Sequence, residues 1–235
     1  MPPRRGSQQV RRVVAARVAV DLSPAVLPRD DLVEEALLSE LAFDDADLTG
    51  REARLVEIAA CRLISTRLAG SRLEKANITD SVFERCDLAN VELSHGAMSR
   101  VEVVGSRLTG LVAPAVQLRH VSFRDCLVDL SSFRFATFSG VEFVDCRLQR
   151  ADFVSADLRG AVFRRCDLGE VELSQAKARG AVFVDCSWDG IRGITSLSGA
   201  SIATSSPVDA VAFTHAMAQG LGITLADPAD FAEET

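Results

Sequence analysis

From Phe43 to Trp188 every fifth residue is apolar, through thirty consecutive positions and without a slip of register. A period of five matches neither the 3.6-residue repeat of a helix nor the two-residue alternation of a flat strand. It suits a chain that turns a corner every five residues and winds around its own inward side chains. Repetition at a fixed interval is the mark of a solenoid. With the apolar centre as position i, position i−2 is mostly small, and positions i−1, i+1 and i+2 are mostly polar or charged. Two side chains of each five therefore point inward and three point to solvent.

A longer period overlies the first. Phenylalanine recurs at Phe83, Phe123, Phe143, Phe163 and Phe183, and cysteine at Cys86, Cys126, Cys146, Cys166 and Cys186. The spacings are 20 or 40 residues, so one full coil takes four pentapeptides and has four sides. These ten residues are the expected structural core. Residues 41–190 then make about 7.5 coils, roughly 36 Å of rod at the ~4.8 Å spacing of paired strands.

The flanks differ. Val13 to Leu22 alternates loosely and predicts one strand before Pro24 and Pro28 break the chain. Asp30 to Leu41 places Leu32, Ala36, Leu37 and Leu41 on one helical stripe, with acidic residues in its first turn. This predicts a capping helix, so residues 1–40 form an N-terminal segment and cap. Residues 191–235 hold a decaying coil, a helix and an acidic tail. The helix is expected to start at Ser206-Pro207 and to stop at Gly220 and Gly222. Its apolar stripe is Val208, Val211, Ala212, Ala216 and Met217.

Units such as Ala46-Asp47-Leu48-Thr49-Gly50, Ala156-Asp157-Leu158-Arg159-Gly160 and Cys166-Asp167-Leu168 resemble those of the pentapeptide-repeat family. The resemblance covers residues 41–190. It implies an all-β fold, a right-handed quadrilateral β-helix, here with short helical caps at both ends. Relatives of the quinolone-resistance type use a C-terminal helix to dimerise. By placement that implies a homodimer through Val208, Val211, Ala212 and Met217. The family also includes mimics of duplex DNA that bind DNA gyrase, which makes a type II topoisomerase the expected partner. Departures from the pattern are local. Arg51 and Leu111 are large for i−2, and Ala53, Ala113 and Ala178 are small for i. Leu111-Val112-Ala113-Pro114-Ala115 combines two misfits with a proline and predicts a local distortion.

Charge tempers the mimicry. The net charge is −7. The repeat body holds 19 basic and 22 acidic residues, so it is nearly balanced, whereas B-DNA carries about one charge per 1.7 Å of axis. A mimic must gather its acids on one side. The most acidic column reads Glu52, Arg72, Glu92, Val112, Ser132, Asp152, Glu172, so Glu52, Glu92, Asp152 and Glu172 are the partner-binding candidates. No basic stripe suggests direct nucleic-acid binding. A second candidate surface is the outward valine set on the Phe83/Phe123 side, with Val144 and Val184 as its representatives.

Candidate chemistry is sparse. All six cysteines, Cys61 included, sit at i−2, and stacked side chains point in parallel. A linear stack cannot surround a metal tetrahedrally, and parallel Cβ atoms stay too far apart for an easy disulfide. The cysteines therefore read as small buried hydrophobes. His95 and His120 point outward at i+2, and His215 lies in the C-terminal helix, none with a motif-linked partner. No phosphate-binding loop or nucleophile elbow occurs. A filled coil leaves no interior pocket. The chain is expected to be a cytoplasmic, non-enzymatic protein-binding module with no cofactor, no metal and no membrane span. The competing readings are a scaffold for a regulatory or biosynthetic partner and, third, an enzyme with a site near the N-terminal segment.

Overall fold

Residues 13–225 are described in a computed structural model. They form a parallel β-solenoid of about nine turns, with one short helix near the C-terminus. Each pentapeptide supplies an extended stretch centred on i and a corner at i+2. From Glu35 to Gly190 every corner residue has positive φ; 24 of them carry a side chain and 8 are glycine. This left-handed backbone costs a residue with a Cβ about 1–2 kcal/mol, and a β-branched side chain more. None of the 24 is β-branched or proline. The ladder between coils offsets the cost, because most corner N–H groups donate to a carbonyl of the next coil, as Asp45 does to Ile64 at 3.0 Å and Leu130 to Gln149 at 2.9 Å.

The four sides are named here by their apolar centres. The first runs through Phe43, Leu63, Phe83, Val103 and Phe123 to Phe183; the second through Leu48 to Trp188; the third through Ala53 to Leu173; the fourth through Leu38 and Ile58 to Ala178. On the first side, Leu63 pairs with Phe83, Phe123 with Phe143, and Phe163 with Phe183, all parallel and in register. At Ala97–Val104 and Gln117–Arg124 the strand runs straight through the corner between the fourth and first sides. The five core phenylalanines and all six cysteines are buried.

The lower core is an aromatic stack. Phe123, Phe143, Phe163 and Phe183 lie nearly parallel, with centroids 4.7, 5.1 and 4.8 Å apart. The upper core is not completely filled. An apolar cavity of about 40 Å³ lies among Leu93, Met98, Leu111, Ala113, Leu118 and Phe133. The expectation of a coil without interior space fails there, because the columns meet in leucines, a methionine and an alanine rather than in stacked rings.

Three further expectations change. No helix forms between Asp30 and Leu41. Leu37–Ser39 is instead a strand paired with Glu57–Ala59, and Glu35 and Glu40 adopt corner geometry. The apolar residues there obey the five-residue register: Leu38 and Leu41 are buried and Leu37 is 74% exposed. The coil thus begins before residue 41, and the end is closed by irregular chain carrying the buried Leu32. Val13 to Leu22 forms no strand. It lies along the rod, with the Ala16 N–H donating to Glu102 Oε1 at 3.1 Å and the Arg17 N–H to Asp80 Oδ1 at 3.3 Å. Only Ser23–Pro24 pairs, with Leu41–Ala42.

The distortion expected at 111–115 is absent. Val112, Ala113 and Ala115 supply the ladder donors, and the Pro114 carbonyl accepts from His95, so proline stands where no ladder N–H is used. Large Leu111 beside small Ala113 exchanges volume between the two inward positions. Arg51 escapes the core by reaching Asp31 at 2.8 Å.

The predicted C-terminal helix is Pro207–Gly220, with the Ser206 hydroxyl accepting from the Asp209 N–H. Phe213 packs edge-on against Trp188 at 5.1 Å, so the helix closes the lower end of the stack.

Candidate functional site

The interior offers little chemistry. Each cysteine thiol donates to the carbonyl 23 residues earlier, as Cys86 does to Leu63 at 3.4 Å and Cys146 to Phe123 at 3.4 Å. Thr66 and Ser71 make the same bond to Phe43 and Leu48. Where position i−2 holds cysteine, serine or threonine the small side chain can thus also donate, while alanine and valine at the same position only fill space. All six thiols are free. Burial raises the pKa of Cys61, and pushes that of Cys86 up to about 11, so both are protonated at neutral pH. Among the described residues no group of three or more His, Cys, Asp or Glu is arranged to hold a metal ion. The cavity is lined by apolar side chains alone and holds no acid, base or nucleophile. His95 and His215 are exposed and are not brought together.

Most charged side chains of the described residues stand on the outer columns. On the second side the i−1 column alternates in sign: Asp47, Arg67, Asp87, Arg107. Arg67 reaches Asp47 at 3.2 Å and Arg107 reaches Asp87 at 2.5 Å. Hydrogen bonds from Thr49, and then from Arg67, pull the Asp47 carboxyl down to about 2. The 20-residue register stacks opposite charges one coil apart.

The third side carries the four acidic candidates, and each has an arginine beside it. Arg72 lies 3.0 Å from Glu52 and 3.7 Å from Glu92. Arg134 lies 2.9 Å from Asp152, and Arg192 lies 3.1 Å from Glu172. The column is an ion-pair ladder rather than a row of bare carboxylates. Such exposed pairs add little stability, but they do cancel field.

The valine candidates on the first side are less available than the sequence suggests. Val144 and Val184 are half-buried, and Val162 is buried. The dimerisation candidates divide. Ala212 and Met217 pack against the core, while Val208 and Val211 face outward.

The prominent exposed apolar group was missed in the sequence. Phe135 is 59% exposed, Leu130 51%, Val112 42% and Leu127 40%. They cluster on adjoining coils at the second and third sides. Leu130 and Phe135 are both corner residues with φ of 59°. A large apolar residue at i+2, where the pattern calls for a polar residue or glycine, was the available signal.

No helix among the described residues is long and apolar enough to cross a membrane. Family models for a pentapeptide repeat region and for pentapeptide repeats match residues 98–173 and 66–103. No curated protein matches the chain. Among solved structures it is similar to HetL, a pentapeptide-repeat protein involved in heterocyst differentiation regulation from the cyanobacterium Nostoc sp. The identity is 18%, over 72% of this chain and 87% of that one, with a TM-score of 0.43. It is also similar to QnrB1, a plasmid-mediated fluoroquinolone resistance protein, in a trypsin-treated form. There the identity is 18%, over 87% of this chain and 96% of that one, with a TM-score of 0.38.

Proposed function

This chain is a pentapeptide-repeat protein, and on that premise we propose that it works as a rigid, non-catalytic, protein-binding rod. The observation that carries the reading is the division between inside and outside. The interior is apolar and closed at its lower end by the C-terminal helix, so among the described residues the polar groups that could meet a partner stand on the outside. The outer side chains stand in columns at fixed ~4.8 Å intervals, a geometry suited to matching another rigid surface. Six unpaired thiols fit action in the reducing cytoplasm.

The finer reading is a type II topoisomerase partner, such as DNA gyrase. It is supported by the family resemblance and by the rod shape. The arginine beside each of Glu52, Glu92, Asp152 and Glu172 weighs against recognition through DNA-like charge. A supercoiling assay with purified gyrase, with and without a quinolone, tests the topoisomerase reading. Inhibition of supercoiling, or protection from the drug, at micromolar protein supports it. Neither effect removes the topoisomerase and leaves the rod as a scaffold for another protein.

A further inference from the structure

We propose that the third side is a self-association surface that pairs with the same side of a second, antiparallel copy of this chain. The inference is independent of the topoisomerase reading and survives its failure.

The relief of this side makes it self-complementary. Leu130 and Phe135 protrude from one coil, and the residues one coil earlier in the same columns are Gly110 and Ala115. The Phe135 knob thus lies directly beside the small Ala115, whereas the space over Gly110 is filled by the Asn90 side-chain amide. Consider a two-fold axis in the plane of this side, perpendicular to the rod and midway between the coils of Val112 and Ser132. The operation reverses the order of coils but keeps every column over its own counterpart. Phe135 then settles over the small Ala115 of the second copy, and Leu130 meets the Asn90 amide that covers Gly110. Each contact occurs twice.

Charge follows the same operation. Arg72 is set opposite Glu172 of the second copy, and Glu52 opposite Arg192. The one like-charge meeting is Glu92 with Asp152, and each of these already has an arginine of its own chain, Arg72 and Arg134 respectively. Charge disfavours the neighbouring register on one side. With the axis moved onto the coil of Ser132, Arg72 meets Arg192 and Glu92 meets Glu172. The apolar centre and paired rim match the anatomy of a specific interface, with a buried aromatic as its anchor.

The test is the mass of the full chain in solution at micromolar concentration, by size-exclusion chromatography with light scattering and by sedimentation. A dimer is expected. Phe135→Glu should raise its dissociation constant by at least about a hundredfold, because the anchor is lost at two symmetric places. Ala115→Arg fills the place where Phe135 settles and should do the same, with circular dichroism confirming that both variants keep the coil. Arg72→Glu should weaken the dimer, and adding Glu172→Arg to it should restore it. A monomer at these concentrations overturns the proposal. So does a dimer that persists in both Phe135→Glu and Ala115→Arg, or one that is lost only when Val208 and Val211 on the C-terminal helix become lysine.

Discussion

The upper and lower halves of the coil share one register and fill it differently. Above Leu118 the columns are mostly leucine, isoleucine, valine, methionine and alanine, with Phe43 and Phe83 not stacked on one another, and they leave a cavity of about 40 Å³. Below it, rings stack face to face along the first side, and Phe133 and Phe153 stack at 5.3 Å on the third. The small inward position follows the same division: Thr66, Ser71, Ser81 and Ser106 mingle with cysteine above, and an unbroken cysteine column runs from Cys126 to Cys186 below. The backbone is indifferent to this change, since corners and ladder continue unaltered. Register and filling are thus separable, and the filling should set where stability is concentrated.

Phe143→Ala strikes the middle of the stack and should lower the unfolding free energy by about 4 kcal/mol. Leu73→Ala, beside the existing cavity, should cost about 2–3 kcal/mol. Urea denaturation of both variants tests the ordering, and equal losses would erase the distinction between the halves. The reverse change sharpens it. Ala113→Val places methyl groups toward the cavity of about 40 Å³, and at ~24 cal/mol per Å³ this should stabilise by about 1 kcal/mol. Ala178→Val, against the filled lower core, should destabilise by about 1–3 kcal/mol through overpacking. A matching gain at Ala178 in calorimetry would mean that the lower half is also loose.

Smaller effects concern the thiols. Cys146→Ala removes a donor to the Phe123 carbonyl and should cost no more than about 1 kcal/mol. Cys146→Ser keeps a donor, as Ser71 does in the upper half, and should cost less. A loss of several kcal/mol on denaturation would give the cysteine column a larger role than packing.

The last effect is on pH. Cys86 titrates at about 11 in the folded chain against an ordinary 9.0, so the unfolded thiol ionises first. Its contribution is intact below about pH 9 and falls away as pH rises toward 11, with the unfolded state binding fewer protons. The fall in unfolding free energy over that window should shrink in Cys86→Ser.

Most of the coil was legible because one inward residue in five admits only one register. The stacked phenylalanines and buried cysteines follow directly from it. The first turn was not legible, since Leu32, Ala36, Leu37 and Leu41 satisfy a helical stripe as well as a short strand, and only pairing with Glu57–Ala59 decides between them. The proline at 114 misled because the sequence does not say which N–H groups the ladder leaves unused. The acidic side chains of the third side stack in one register, from Glu92 to Glu172. Their neutralisation depends on side-chain rotamers, as for Arg134 with Asp152 across coils, and these lie beyond pattern. Phe135 and Leu130 stand at corners, where the fold demands a backbone angle rather than a polarity, so an apolar side chain there violates nothing in the core pattern.

The regular corners also limit how such a chain can change length. Inserting or deleting five residues keeps every apolar side chain inward, but rotates everything beyond it by a quarter turn. The pairs that straddle the change would then part: Phe135 from Ala115 if it falls between them, Arg72 from Glu92 if it falls higher up. Only a change of twenty residues preserves the surface as well as the core. The two terminal turns already depart from that quantum: Ser23 pairs with Leu41, 18 residues on, and Val182 with Ser201, 19 residues on. Length variation in such chains should therefore come in whole turns through the middle and in single residues only at the ends.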